Sequence, residues 1–239
     1  MSAMRLRVCY GGTFDPVHNG HVAVARAARD ALDAEVFVLP AHDPPHKAST
    51  RANAHQRAAM LQLALADQPG LHVDTRELER TGPSYTVDTL AGLRAELGDQ
   101  APIAWLVGAD SLRQLHTWHR WRELFQHAHL VAVQRPGAEV DAASLRADAP
   151  AVLDEIGQRW LPPGTLAETA CGGFALLPLP ALRQESSTEL RRRIEAGGPW
   201  RHWVAPAVAD YIQRHGLYRL TPPDGPPAIL PASPSSARP

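Results

Sequence analysis

Short apolar runs alternate with segments of helical spacing along most of this chain, and that alternation constrains its fold most. Residues 5–10 (RLRVCY), 35–39 (EVFVL), 71–74, 103–107 (IAWLV), 130–133 and 174–177 read as strands, several of them bounded by Gly or Pro. Residues 20–32, 54–66, 86–97, 187–196 and 205–215 carry apolar residues at the spacing of one helix face, and 110–115 and 120–127 read as shorter helices. Ser84 or Thr86 is the expected cap of the helix at 86–97, and Ser186 with Glu189 fits a capping box before 187–196. Residues 136–173 read as irregular to weakly helical. The order implies an α/β fold: a Rossmann-like doubly wound parallel sheet with right-handed crossovers and a small C-terminal helical part. Ligands of such sheets bind at the carboxyl ends of the strands, near the switch in strand order.

Of 239 residues, 44% are hydrophobic and 21% charged, enough apolar content for a sizeable core. The net charge of -1 argues against a dedicated nucleic-acid or anionic-membrane binder, and it permits a local basic pocket for a small anion. Cys9 and Cys171 form no metal or disulfide signature, which fits a reducing compartment. The N-terminus lacks the apolar segment of a signal peptide, and no run approaches 18 apolar residues. A cytoplasmic protein is expected. Residues 1–220 are expected to form one folded domain, and the Pro-rich residues 221–239, which lack a buryable pattern, a disordered tail. Homo-oligomer formation is left open.

The stretch VCYGGTFDPVHNGH carries the chemistry. Gly11 and Gly12, directly after the first strand, allow a tight turn and close approach of the backbone to a ligand. The helix beginning near Gly20 directs free amides and the positive end of its dipole to the same place, which suits a phosphate. His18 and His21, at i and i+3, can face one side there and donate to phosphate oxygens. They could instead bind a metal, but no third ligand of suitable spacing is evident, so no protein metal site is expected. The dinucleotide fingerprint and the P-loop motif are both absent.

These residues carry a resemblance. GGTFDPVHNGH resembles the signature of the HxGH nucleotidyltransferases. Pro44-Pro45-His46-Lys47, PSYTVDTL at 83–90, Gly108-Ala109-Asp110-Ser111, Thr117-Trp118, SSTELR at 186–191 and Gly216-Leu217-Tyr218 follow in order. Together the set is similar to the bacterial nicotinate-nucleotide adenylyltransferases, from about residue 5 to residue 219. The resemblance implies joining of ATP and nicotinate mononucleotide, with release of pyrophosphate, as a step of NAD biosynthesis. It implies contacts from His18 and His21 to the ATP phosphates, with Lys47 and Arg191 as further catalytic cations. Gly11, Gly12, Thr13, Phe14, Gly108, Asp110, Ser187 and Thr188 would complete the ATP site. Thr86, Trp118 and His119 would receive nicotinate mononucleotide. Mg²⁺ is implied by the triphosphate, held mainly by phosphate oxygens and water.

Each residue also has a plainer reading: a solvated loop lysine for Lys47, a surface arginine for Arg191, a core tryptophan for Trp118, a helix cap for Asp110. Three departures from the family stand out. His119 replaces the usual Tyr or Phe, Glu185 replaces an apolar residue, and 136–173 is an insert. Two other functions stay open: the same chemistry on nicotinamide mononucleotide, phosphopantetheine or another phosphate, and a non-catalytic nucleotide-sensing module. A flavodoxin-like redox protein would share only the fold class.

Overall fold

The computed structural model describes residues 5–42, 50–80, 82, 84–134, 140–178 and 185–219. Lys47, the neighbouring Pro44-Pro45-His46 and the tail at 221–239 lie outside the described residues.

Among the described residues, six strands form one sheet: β1 (Arg7–Gly12), β2 (Glu35–Pro40), β3 (Leu71–Val73), β4 (Ile103–Gly108), β5 (His129–Gln134) and β6 (Phe174–Pro178). Every neighbouring pair is parallel, in the order β3-β2-β1-β4-β5-β6. The helices are α1 (Asn19–Leu32), α2 (Ala54–Leu65), α3 (Thr86–Leu97), α4 (Ala109–Arg113), α5 (Leu124–His127), α6 (Ala142–Asp148), α7 (Pro150–Gly157), α8 (Ser187–Glu195) and α9 (Pro206–Arg214). The expected α/β class and doubly wound parallel sheet are therefore present. The order reverses between β1 and β4, so the carboxyl ends of these two strands flank the crevice where ligands of such sheets bind.

Alternating residues of each strand point to opposite faces, and both faces are covered. Val8, Val36, Val38, Leu106 and Val131 pack into one core with residues of α1, α2, α8 and α9. Cys9, Leu39, Trp105, Val107 and Leu130 pack into the other with residues of α3, α5 and α7. The C-terminal helices join the sheet's own core through Leu190, Ile194, Val208 and Ile212. Burial pushes the Cys9 thiol up to about 12, so it sits in the core as a neutral group.

The structure corrects three local expectations. β1 runs on through Gly11 and Gly12, which pair with Leu39 and Pro40, so the turn starts at Thr13 rather than at the glycines. Neither Ser84 nor Thr86 caps α3; Tyr85 holds the cap position without a side-chain cap bond. The stretch at 136–173 contains two α-helices and a 3-10 helix (Pro163–Glu168) in its described part: Asp141 caps α6 by accepting from Ser144 N, and Pro150 opens α7.

Two buried groups fasten the segment before β6. Arg94 donates to the carbonyls of Gly98, Ala101, His127 and Ala170 at 2.6–2.9 Å. His129, almost without exposed surface, accepts from Gly173 N on Nδ1 and donates from Nε2 to Thr169 O, both at 2.9 Å. Only the neutral imidazole can do both.

Burial, the largest cause, holds the His129 pKa below its ordinary value of 6.5. The unfolded chain therefore takes up this proton first as pH falls. Stability from His129 is fully present above about pH 6.5 and is lost on acidification toward the folded-state value. In thermal melts, the Tm advantage of wild type over His129→Gln should shrink from pH 7.5 to pH 5. A pH-independent gap would contradict this reading. A Cβ built on Gly11 would lie 2.4 Å from Cζ2 of Trp105. Gly11→Ala should accordingly destabilise by about 1–3 kcal/mol in urea titrations, with altered tryptophan emission.

Candidate active site

The segment after β1 is built around aromatic rings. Phe14 is buried with a φ of 50°, and a Cβ on Gly12 would lie 2.8 Å from its ring. The Phe14 ring meets His21 edge-on, with centroids 5.0 Å apart. His18 is the N-cap residue of α1, in extended conformation, and is buried. Its backbone N–H donates to Nδ1 of His21 at 3.3 Å, and the two imidazoles stack with centroids 3.7 Å apart. A Cβ on Gly20 would lie 2.9 Å from Nδ1 of His18, so the glycine between the histidines makes room for the first ring. The pair stands at the N-terminus of α1, on the carboxyl edge of the sheet. Nitrogen donors and a helix start converge there, which suits an anion.

Side chains from distant segments hold the turn. The Asp15 carboxylate is buried and accepts from Arg51 N at 3.0 Å, Ala52 N at 3.1 Å and the Tyr218 hydroxyl at 2.7 Å. Burial, then the charge of Asp15, pushes the Tyr218 phenol up, so the hydroxyl keeps its proton as donor. The turn's carbonyls are taken as well. Arg57 donates to Thr13 O at 2.8 Å, Arg191 to Asp15 O at 2.5 Å and Ser187 Oγ to Pro16 O at 3.0 Å.

The structure gathers Gly11, Gly12, Thr13, Phe14, His18, His21, Ser187 and Arg191 around this turn. Gly11 lies against Trp105 within β1. Ser186 caps α8 by accepting from Glu189 N, while the Glu189 carboxylate turns to Arg192 and Arg193, which hold it down at about 2. Half of the expected box is thus present. Arg191 has a second bond, to Thr188 Oγ1 at 3.3 Å, and Thr188 is exposed. Gly108 is the exposed N-cap of α4 at the end of β4. Asp110 is therefore not the cap; it sits in the first turn and pairs with Arg113 at 3.2 Å.

Thr86, Trp118 and His119 form a second group on the same edge. Thr86 opens α3, and the loop holding Trp118 is tied to that helix start. The exposed His119 ring lies 4.4 Å from that of Tyr85, and Arg120 pairs with Asp88 at 2.5 Å. Trp118 is half-buried against the core on the α3 side. Among the described residues, no three His, Cys, Asp or Glu side chains gather as a metal site, and no helix is long and apolar enough to cross a membrane.

Sequence reading missed three residues here: Asp15, Arg57 and Tyr218. Arg57 interrupts the buried stripe of α2, one turn before Leu61 and two before Ala64, and a cation at a stripe position is a readable signal. Asp15 and Tyr218 lie within motifs quoted above, but their pairing across 203 residues leaves no local pattern.

Residues 9–193 match the cytidylyltransferase-like family. A protein of Stenotrophomonas maltophilia named "probable nicotinate-nucleotide adenylyltransferase" is 50% identical over 229 residues, covering 92% of this chain and 100% of that one. A protein of the same name from Laribacter hongkongensis is 48% identical, over 90% of this chain and 94% of its own length. Among solved structures, nicotinic acid mononucleotide adenylyltransferase of Plasmodium falciparum, complexed with NaAD, superposes with a TM-score of 0.67 at 18% identity, over 90% of this chain and 97% of that chain, a likeness of fold. With half of its residues identical across the full length of one such relative, and a family model spanning most of the sheet, this chain belongs to the nicotinate-nucleotide adenylyltransferases of the cytidylyltransferase-like family.

Proposed function

We infer that this chain transfers the adenylyl group of ATP to nicotinate mononucleotide, giving nicotinate adenine dinucleotide and pyrophosphate, a step of NAD biosynthesis in the cytoplasm. The stacked His18–His21 pair at the start of α1, on the edge where the strand order reverses, carries this reading. A phosphate oxygen of the mononucleotide attacks the α-phosphorus in line. The bond to the bridging oxygen breaks, and pyrophosphate leaves with the electron pair. No enzyme nucleophile is required; positioning and charge stabilisation do the work.

Each residue then has a task. His18 and His21 donate to the phosphate oxygens on which charge builds. Gly11, Gly12, Thr13 and Phe14 form the floor beneath the triphosphate, with Gly108 and Asp110 toward the nucleoside. Ser187 and Thr188 bring a second helix start. Arg191 adds a cation from α8, and Lys47 one from the segment after β2. Thr86 at the start of α3 receives the nicotinate carboxylate, and Trp118 with His119 receives the ring. The groups at the phosphate end are imidazole, hydroxyl and amide donors, suited to phosphate oxygens rather than to Mg²⁺. Mg²⁺ arriving with ATP would be held by phosphate oxygens and water rather than by these side chains, and would neutralise part of the phosphate charge.

Two substitutions separate the halves of this site. His21→Ala should lower kcat by about 10²–10³-fold while leaving ATP affinity nearly intact. Unchanged turnover would remove His21 from the reaction. Trp118→Ala should raise KM for nicotinate mononucleotide by up to about tenfold and spare KM for ATP. An equal loss for both substrates would make Trp118 a core residue only. Initial-rate measurements varying each substrate in turn distinguish these outcomes.

A further inference from the structure

Arg57 has no exposed surface, yet it sits on a helix face whose other buried members are apolar. Its guanidinium reaches three carbonyl oxygens. Nη1 donates to Thr13 O at 2.8 Å and to Ala41 O at 2.7 Å, and Nη2 donates to His42 O at 3.3 Å. Thr13 opens the turn after β1. Ala41 and His42 follow β2, the neighbour of β1, and Ala41 N donates to Gly12 O at 2.9 Å. One side chain therefore spans the places where two adjacent strands release the chain toward the active edge.

The direction of these peptide units matters. An N–H and the C=O of the same peptide unit point opposite ways, and a turn that binds an anion must offer the first and withdraw the second. A carbonyl bonded to a buried guanidinium is not available to face a phosphate. An apolar residue would complete the stripe of α2 without the cost of burying a cation. Lysine would gather its donors on a single nitrogen, whereas the planar fork of arginine bonds Thr13 O and Ala41 O from one nitrogen and His42 O from another.

We propose that Arg57 is a positioning residue for the nucleotide: by fixing the carbonyls of Thr13, Ala41 and His42 beneath the site, it sets the turn so that its amides and the His18–His21 pair face the ATP phosphates. The inference rests on the reading of this edge as the ATP site. It assigns Arg57 no contact with substrate. Its effect falls on ATP rather than on the acceptor, whose proposed contacts lie at α3 and Trp118.

The test compares the wild-type chain with Arg57→Lys and Arg57→Met, rates being expressed per folded molecule after circular-dichroism melts. Pyrophosphate release is followed while ATP and nicotinate mononucleotide are varied separately. Arg57→Met should lose on the order of 10²-fold in kcat/KM for ATP, as displaced reacting groups do. Arg57→Lys should recover part of that loss. KM for nicotinate mononucleotide should stay within about twofold of wild type in both. Should Arg57→Met not fold, Arg57→Lys decides alone, since it retains the charge but not the fork. Folded variants with wild-type ATP kinetics would overturn the proposal. So would equal losses for both substrates, which mark a purely structural arginine. An active wild type with unaffected variants refutes the role of Arg57 only; an inactive wild type refutes the reading of the edge beneath it.

Discussion

The buried carboxylate of Asp15 is the interaction on which the rest of the site depends. A carboxylate out of water is costly unless donors surround it. Asp15 has two backbone amides just before α2 and a hydroxyl from the C-terminal loop, all within 3.1 Å. These donors come from segments far apart in the chain, so the turn, the entry to α2 and the last described loop share one fastening. Removing the carboxylate would leave two buried donors, Ala52 N and the Tyr218 hydroxyl, without their acceptor, each costing about 1–3 kcal/mol. Arg191 adds a link from α8 through the Asp15 carbonyl, with its guanidinium 4.0 Å from the carboxylate. A turn held from so many sides can present a helix start and two imidazoles in one arrangement.

Packing explains the glycines better than chain flexibility does. Gly11 faces Trp105, Gly12 faces Phe14 and Gly20 faces His18, each closer than a Cβ permits. Side-chain rings thus lie against the backbone where a nucleotide would approach. The ring of Phe14 supports His21, and His21 accepts the backbone N–H of His18. Local sequence, packing and proposed chemistry are one construction here: the glycines admit the rings, and the rings orient the histidines.

Much of this was legible in the sequence. Strands buried on both faces are continuous apolar runs, so 103–107 and 130–133 marked β4 and β5 within a residue or so. The motif residues pointed to one edge of the sheet because a strand, a glycine pair and a helix start fall together. Other features were hidden for physical reasons. Glycine usually ends a strand, but the parallel pairing of Gly11 and Gly12 with β2 carries β1 two residues further. α6 and α7 are short and bury few residues, leaving little periodicity, although Asp141 and Pro150 marked their starts. The bonds of Asp15 to Tyr218 and of Arg57 to three carbonyls are nonlocal, and no spacing rule reveals them.

The proposed reaction joins ATP, on this edge, to an acceptor bearing a pyridine carboxylate. The most direct measurement is the initial rate of pyrophosphate release from ATP and Mg²⁺ with nicotinate mononucleotide, nicotinamide mononucleotide or phosphopantetheine as acceptor. Release should be rapid with the nicotinate acceptor and slight with the others. Faster release with either alternative would contradict the assignment of Thr86 and Trp118 while preserving the phosphate chemistry. No release with any acceptor, from a folded chain that still binds ATP, would contradict the reaction itself.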